Sequence, residues 1–397
     1  MWLRRLELSD VRSYDHAALD LLQGVTVLVG PNAQGKTNLL EAIYRAASGG
    51  SHRVAGDGPL VRAGTDLGVI RCEMVSDEGR RRTLELEVGT GRRTRTRVDG
   101  QDVRRAADAS GVLRAVMFAP EDLAIVRGDP SERRRFLDDL LAQRRPAFAA
   151  ARSEYDRALR QRNQLLKQVR ASSGEGRAAA AATLQEWTEQ LVRHGAQITA
   201  ARIAAVHTLA GPVDRSYRDL ADRPEPVGLT YRSSAGQLGA VAGQGEGHDP
   251  VPDLAPIVAA LRAAFDERQG DEVARAQTLV GPHRDDLDLT IGDLPARGYS
   301  SQGEAWSLAL ALKLATSQLL SEVGDRPIVI LDDVFAELDE TRRARLATAC
   351  EGFDQTLVSA AVEADVPLAG PRVDVRIEAG RTRLVPRRTD PSVEGAA

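Results

Sequence analysis

Runs of apolar residues and their interruptions divide the chain into strands and helices. "VTVLV" at 25–29 is a short β-branched run, as in a strand buried on both faces. A glycine turn follows, and then "NLLEAIYRAA" places Leu39, Leu40, Ile43 and Tyr44 at helical spacing. "TLELEV" at 83–88 alternates apolar and acidic residues and predicts a half-exposed strand. "DLDLTI", "PIVIL" and "TLVSAAV" predict further strands late in the chain. From Pro130 to about Val169 the pattern is helical, with Phe148, Tyr155, Leu159, Leu166 and Val169 at near-heptad intervals. "ASSGEG" at 171–176 breaks it, and Leu184, Trp187, Leu191, His194 and Ile198 resume at alternating spacings of three and four. The two stripes predict a short antiparallel helical hairpin, with His194 as a seam residue. "LAPIVAALRAAF" at 254–265 predicts another amphipathic helix. The glycine-rich stretch 232–250 reads as a flexible loop and 388–397 as a disordered tail.

The order strand, G-x-x-x-x-G-K-T, helix is the context in which a P-loop acts. Gly30, Pro31, Asn32, Ala33, Gln34, Gly35, Lys36 and Thr37 form it. Glycine lets the backbone approach a phosphate, and consecutive N–H groups at a helix start make an anion nest. Lys36 would reach the β- and γ-phosphates of ATP, and the Thr37 hydroxyl would ligate Mg2+. Of 53 basic residues only Lys36, Lys167 and Lys313 are lysine. One of these three stands where a compact ammonium is needed.

The apolar run Ile328–Leu331 ends in Asp332 and Asp333. Asp332 is placed to hold Mg2+, and Asp333 to orient the attacking water. Adjacent strand residues face opposite ways, so the two roles require the strand to end there. Ahead of it, "YSSQGEAWSLALALKLA" sets Ser301 three residues before Glu304, a capping box whatever the function. A helix start of this kind can also face an anion.

The formal charge of −4 excludes a general polycation, so DNA binding would need a local patch. Candidate clusters are Arg92, Arg93, Arg95 and Arg97, then Arg104 and Arg105, then Arg133–Arg135. Aromatic content is 4%, and none of the clusters is interleaved with aromatics, which favours phosphate contact over base stacking. Cys72 and Cys350 have no metal-type spacing and read as reduced thiols of a cytoplasmic protein. No apolar run reaches a membrane span of about 18 residues.

The P-loop, the Ser-Gln-Gly-Glu helix start, the Asp-Asp strand end and the following "AELD" resemble ABC-type ATPase heads. Together with "LSDVRSYDHAAL" at 8–19, "SHR" at 51–53, "FAPEDLAIVRGDPSERRRFLD" at 118–138 and "GPHRDDL" at 281–287, they resemble the RecF recombination and repair family. The resemblance implies an α/β fold, an ABC-type head split by an inserted helical domain. Residues 1–125 would form the first part of the head, 126–270 the insert, 271–387 the second part and 388–397 the tail. It further implies an ATP-dependent homodimer, with Ser301 of one chain closing over the γ-phosphate held by the other. That dimer would bind gapped or junction DNA without sequence preference and work with RecR and RecO partners, away from membranes. Gln302 and Glu304 replace residues usual in the transporter signature. The strand at 356–362 lacks the histidine that many ABC heads carry, so hydrolysis would be slow. A transporter ATPase subunit is the main alternative; a small-molecule kinase and a non-hydrolysing scaffold are the others.

Overall fold

Alternation and run length sort the strands into two kinds of sheet, as the burial physics requires. The fold is that of a computed structural model. It is described for residues 1–397 apart from 51, 52, 55, 93, 104, 105, 172, 173, 224, 237, 239–251, 369–371, 379, 380 and 386–397. The tail, most of the 232–250 loop, Ser51, His52, Arg93, Arg104 and Arg105 therefore lie outside the described residues. Contacts divide the chain into two units, one of 1–104, 112–121 and 317–397, the other of 105–111 and 122–316.

In the first unit the continuous apolar runs form a six-stranded sheet in the order Arg381–Val385, Arg372–Glu378, Gly24–Val29, Gln355–Ala360, Ile328–Asp332, Ala115–Phe118. All neighbours are parallel except the edge strand Arg381–Val385. Ile328 to Leu331 have no exposed surface. Val29 pairs with Ala360, and Asp332 with Ser359, so the carboxyl ends of three central strands share one edge. In open parallel sheets ligands bind at that edge. The alternating runs form the other sheet, antiparallel and six-stranded, with Arg81–Gly89 in its interior.

The helix Lys36–Ser48 packs against strands of both sheets. Gln355, fully buried, joins them: its carbonyl accepts from the Leu3 amide at 2.8 Å, and its amide donates to the carbonyls of Leu3 and Leu22, both at 2.9 Å. One side chain thus satisfies backbone groups that would otherwise be buried unpaired.

The second unit holds the helices Pro130–Arg144, Pro146–Ala171, Gly174–Leu220 and Leu254–Arg275, with a three-stranded antiparallel sheet. The helical stretch expected from Pro130 to Val169 is two helices, because Arg145 is extended and Pro146 starts a new one. The hairpin break is narrower than 171–176: the second helix already begins at Gly174. A helical glycine costs only about 1 kcal/mol, and the alanine run after Arg177 favours helix.

The unit boundary falls at 316/317, inside the helix Gln302–Ser321, whereas the sequence suggests that the head resumes at 271. Buried ion pairs run within the second unit. Arg133 meets Asp286 at 2.8 and 3.0 Å, and Arg162 meets Glu272 at 2.6 Å. Arg202 also donates to the Pro282 carbonyl at 2.7 Å. Residues 272–286 are therefore tied to the helices of the insert. No described helix is long and apolar enough to cross a membrane.

Candidate active site

The P-loop joins the strand Gly24–Val29 to the helix Lys36–Ser48 and is shaped by two glycines and a neighbouring turn. A Cβ on Gly30 would lie 2.4 Å from the Ile377 carbonyl oxygen, so only glycine fits beside that strand. Gly35 has φ +106°, and a Cβ there would strike the Tyr14 hydroxyl at 2.7 Å. Ala33 also takes a left-handed conformation, φ 65°. Gly35 caps the helix without a side chain bonded to the first-turn amides, as an anion-binding helix start requires. The Lys36 ammonium is buried and folds back over the loop. It donates to the Gly30 carbonyl at 2.7 Å, to Pro31 at 3.2 Å and to Asn32 Oδ1 at 3.4 Å.

Three residues of the 8–19 stretch prop this loop, a role the sequence pattern does not reveal. Tyr14 donates to the Gly35 carbonyl at 3.1 Å, and Asn38 donates to Ser13 Oγ at 3.0 Å. Arg12 forms a two-pronged pair with fully buried Glu41, at 2.7 and 2.9 Å. Arg53 lies 3.8 Å from the same carboxylate. Glu41 is thereby a buried charge with charged partners, which fixes the helix behind the P-loop.

Asp332 ends its strand beside Thr37, whose hydroxyl donates to Asp332 Oδ1 at 3.1 Å. Ser359 Oγ donates to the same oxygen at 2.6 Å. Burial pushes the Asp332 carboxyl up to about 6; Ser359 and Thr37 oppose that, and the charges of Asp333 and Glu121 add to it. Such a group is short of positive charge. Hard divalent Mg2+ is commonly held by a hydroxyl, one carboxylate, water and substrate phosphates, so Thr37 and Asp332 fit it. Among the described residues no cluster of three or more His, Cys, Asp or Glu forms an all-protein metal site.

Asp333 has φ 51°, turns out of the strand and donates its amide to Ser359 Oγ at 2.8 Å. The strand ends as the two-role reading requires. Ser359 was not a sequence candidate; only the Asp332–Ser359 register brings it to the carboxylates. Ser301, in the second unit, forms the expected capping box. Its amide and hydroxyl both donate to Glu304 Oε2 at 2.8 Å, and the Glu304 amide donates back at 3.3 Å.

The "GPHRDDL" turn is a structural knot. Tyr155 and His283 Nδ1 are hydrogen-bonded at 2.7 Å, and His283 Nε2 lies 3.2 Å from the Thr278 carbonyl. Asp285 accepts from Tyr231 at 2.6 Å and from the Ser234 amide at 2.7 Å. Burial, against the Thr278 carbonyl and aided by Arg284, Arg134 and Arg152, pushes His283 down to about 4. Its folded value lies below the unfolded value of about 6.5, so its contribution is full above pH 6.5 and is lost as pH falls towards 4. Thermal unfolding should therefore show a loss of about 1–3 kcal/mol between pH 7 and pH 4.5 that is smaller in His283→Gln. Equal losses in both proteins would rule His283 out as the titrating group.

Among the described residues of the arginine clusters proposed for DNA, Arg95, Arg97, Arg133 and Arg135 are paired with carboxylates. Arg133 is buried against Asp286, and Arg134 donates to the Asp285 carbonyl at 2.9 Å. Arg95 and Arg97 share Asp102, and Arg97 also reaches Glu85 at 2.7 Å. Arg135 pairs with Glu132 at 2.8 Å. Cys72 and Cys350 are free and buried, which pushes both thiols up to about 12.

A parallel sheet whose carboxyl edge gathers a P-loop and an Asp-Asp strand end, backed by an antiparallel sheet, defines an ABC-type P-loop ATPase head. The chain belongs to the RecF/RecN/SMC N terminal domain family, whose model matches residues 2–370, and within it to the RecF type of head. It is similar to the recombination mediator protein RecF with ATPrS, of the RecFOR pathway. The two are 27% identical over 97% of this chain and 98% of that one, with a TM-score of 0.84. The corresponding structure with ATP matches at 27% identity over 97% and 99% of the two chains, TM-score 0.81. The Smc head domain of Pyrococcus furiosus bound to the C-terminal domain of ScpA shares the fold. It is 16% identical over 97% and 96% of the chains, TM-score 0.51.

Proposed function

We propose that the protein is a RecF-like, ATP-dependent DNA-binding protein whose slow ATP hydrolysis times a binding event. The observation that carries this is the convergence of Lys36, Thr37, Asp332 and Asp333 at one sheet edge in a head that resembles RecF with ATP. Lys36 exchanges the loop carbonyls for β- and γ-phosphate oxygens, and the loop amides hold the triphosphate. Thr37 and Asp332 would hold Mg2+, which neutralises phosphate charge when bound. Asp333, outside the strand and steadied by Ser359, orients the water that attacks the γ-phosphorus. Ser301 of a second chain donates to the same γ-phosphate, which makes ATP the link between two copies.

The resulting homodimer binds duplex or junction DNA at gaps and stalled forks in the cytoplasm. It acts there with RecO and RecR to help load recombinase, and hydrolysis reopens it. A transporter subunit remains the competing reading, and DNA dependence separates the two.

Light scattering of the protein with and without ATP and a short gapped duplex tests the dimer. Ser301→Arg is expected to leave the monomer folded and able to bind ATP, yet to abolish ATP-driven doubling of mass and DNA retention. A wild-type chain that stays monomeric with ATP, or a Ser301→Arg chain that still dimerises, would sink the shared-site reading.

A further inference from the structure

The helix Pro146–Ala171 has two unlike faces. Tyr155, Ala158, Leu166 and Val169 are buried, and Arg162, also buried, is neutralised by Glu272. The outward face carries Arg157, Arg160, Gln161, Gln164, Lys167 and Gln168, all exposed. No Asp or Glu occurs between Arg157 and Gly174, although the chain holds 57 acidic residues. Arg157 lies 3.7 Å from Glu154, at the margin of an ion pair; Arg160 and Lys167 have no ion pair with any described residue. Some other exposed arginines of the second unit are matched by carboxylates, as Arg232 is by Asp288 and Arg262 by Glu189.

We infer that this outward face is a phosphate-contacting track for duplex DNA. Arg160 and Lys167, without an ion pair, and exposed Arg157 supply counterion release, and glutamine amides donate to phosphate oxygens without reading sequence. From Arg157 to Lys167 the helix rises about 15 Å, which matches roughly four phosphates along one strand. The face has no aromatic side chain, which argues against base stacking on a single strand. The assignment rests on the DNA-binding reading above and names the surface that serves it. The surface differs from Arg95 and Arg97, whose charges are matched by Asp102 and Glu85, and from Arg133 and Arg135, which are matched by Asp286 and Glu132.

The test is retention of a gapped duplex at saturating ATP across a salt series. It compares the wild type with a variant carrying Arg157→Gln, Arg160→Gln and Lys167→Gln together. The variant is expected to bind roughly 10- to 100-fold more weakly at about 0.1 M salt, and its slope of log affinity on log salt should be shallower by about two to three. Its ATP-driven dimer mass and its hydrolysis without DNA should match the wild type, because all three residues are remote from the P-loop in sequence and solvent-exposed. If wild-type protein binds DNA and the variant has the same affinity and slope, the track is wrong and the broader reading survives. If wild-type protein dimerises with ATP but ignores DNA, the DNA reading itself fails. Loss of binding to phosphatidylserine vesicles with unchanged DNA retention would assign the face to a membrane surface and overturn the proposal.

Discussion

Lys36→Ala is expected to abolish ATP-driven assembly and to cut ATP turnover by roughly 100-fold or more, the scale of losing one preorganised donor to a phosphoryl group. The buried ammonium sits 2.7 Å from the Gly30 carbonyl and 3.2 Å from that of Pro31. A P-loop needs a compact point charge, which a planar guanidinium does not supply in the same way. Lys36→Arg should therefore fail nearly as badly, although it keeps the charge. The loss of the resting contacts costs about 1 kcal/mol, so both variants should remain folded. Phosphate release and light scattering check the result. Turnover within threefold of wild type in Lys36→Ala would remove the P-loop from the chemistry, and full activity in Lys36→Arg would remove the argument from shape.

The largest stability effect is expected at Glu272, a fully buried carboxylate that bonds Arg162 at 2.6 Å and the Leu279 amide at 2.7 Å. Arg162 spends its other donors on Thr188 and Thr278, both at 2.9 Å, and its guanidinium lies 4.8 Å from the centre of the Phe265 ring. Glu272→Ala leaves that cation buried without a counter-charge, which costs about 3–5 kcal/mol. In a unit of this size the unfolding midpoint would drop by roughly 10 °C. The double change Arg162→Met with Glu272→Leu removes both charges and should recover most of the loss. Thermal unfolding of the two singles and the double forms the cycle. A single variant within about 1 kcal/mol of wild type, or a double as unstable as the sum of the singles, would contradict the account.

Much of the nucleotide site was legible in the chain because its parts are local. The strand, the glycine turn, Lys36 and Thr37 lie within fifteen consecutive residues or so, and the run Ile328–Leu331 announces Asp332 and Asp333 in the same way. The capping box of Ser301 and Glu304 is equally local and appears as expected. Ser359 was not legible, since its place beside Asp332 depends on the register of two parallel strands. Arg12, Ser13 and Tyr14 were visible only as part of a family-like stretch; nothing in their spacing says that they brace Gly35, Asn38 and Glu41.

Charge was misread for a related reason. Arg133 looked like part of a basic surface, and its partner Asp286 is 153 residues away. Glu272 and Asp286 likewise answer to Arg162 and Arg133, 110 and 153 residues earlier in the chain. By itself the sequence determined the buried strands, the helical hairpin and the phosphate-binding turn, since periodicity and glycine geometry act over a few residues. Which cations remain free for a ligand, and which carboxylates stand beside Thr37, only the tertiary structure decided. Desolvation makes buried charges seek partners in space, wherever in the chain those partners lie.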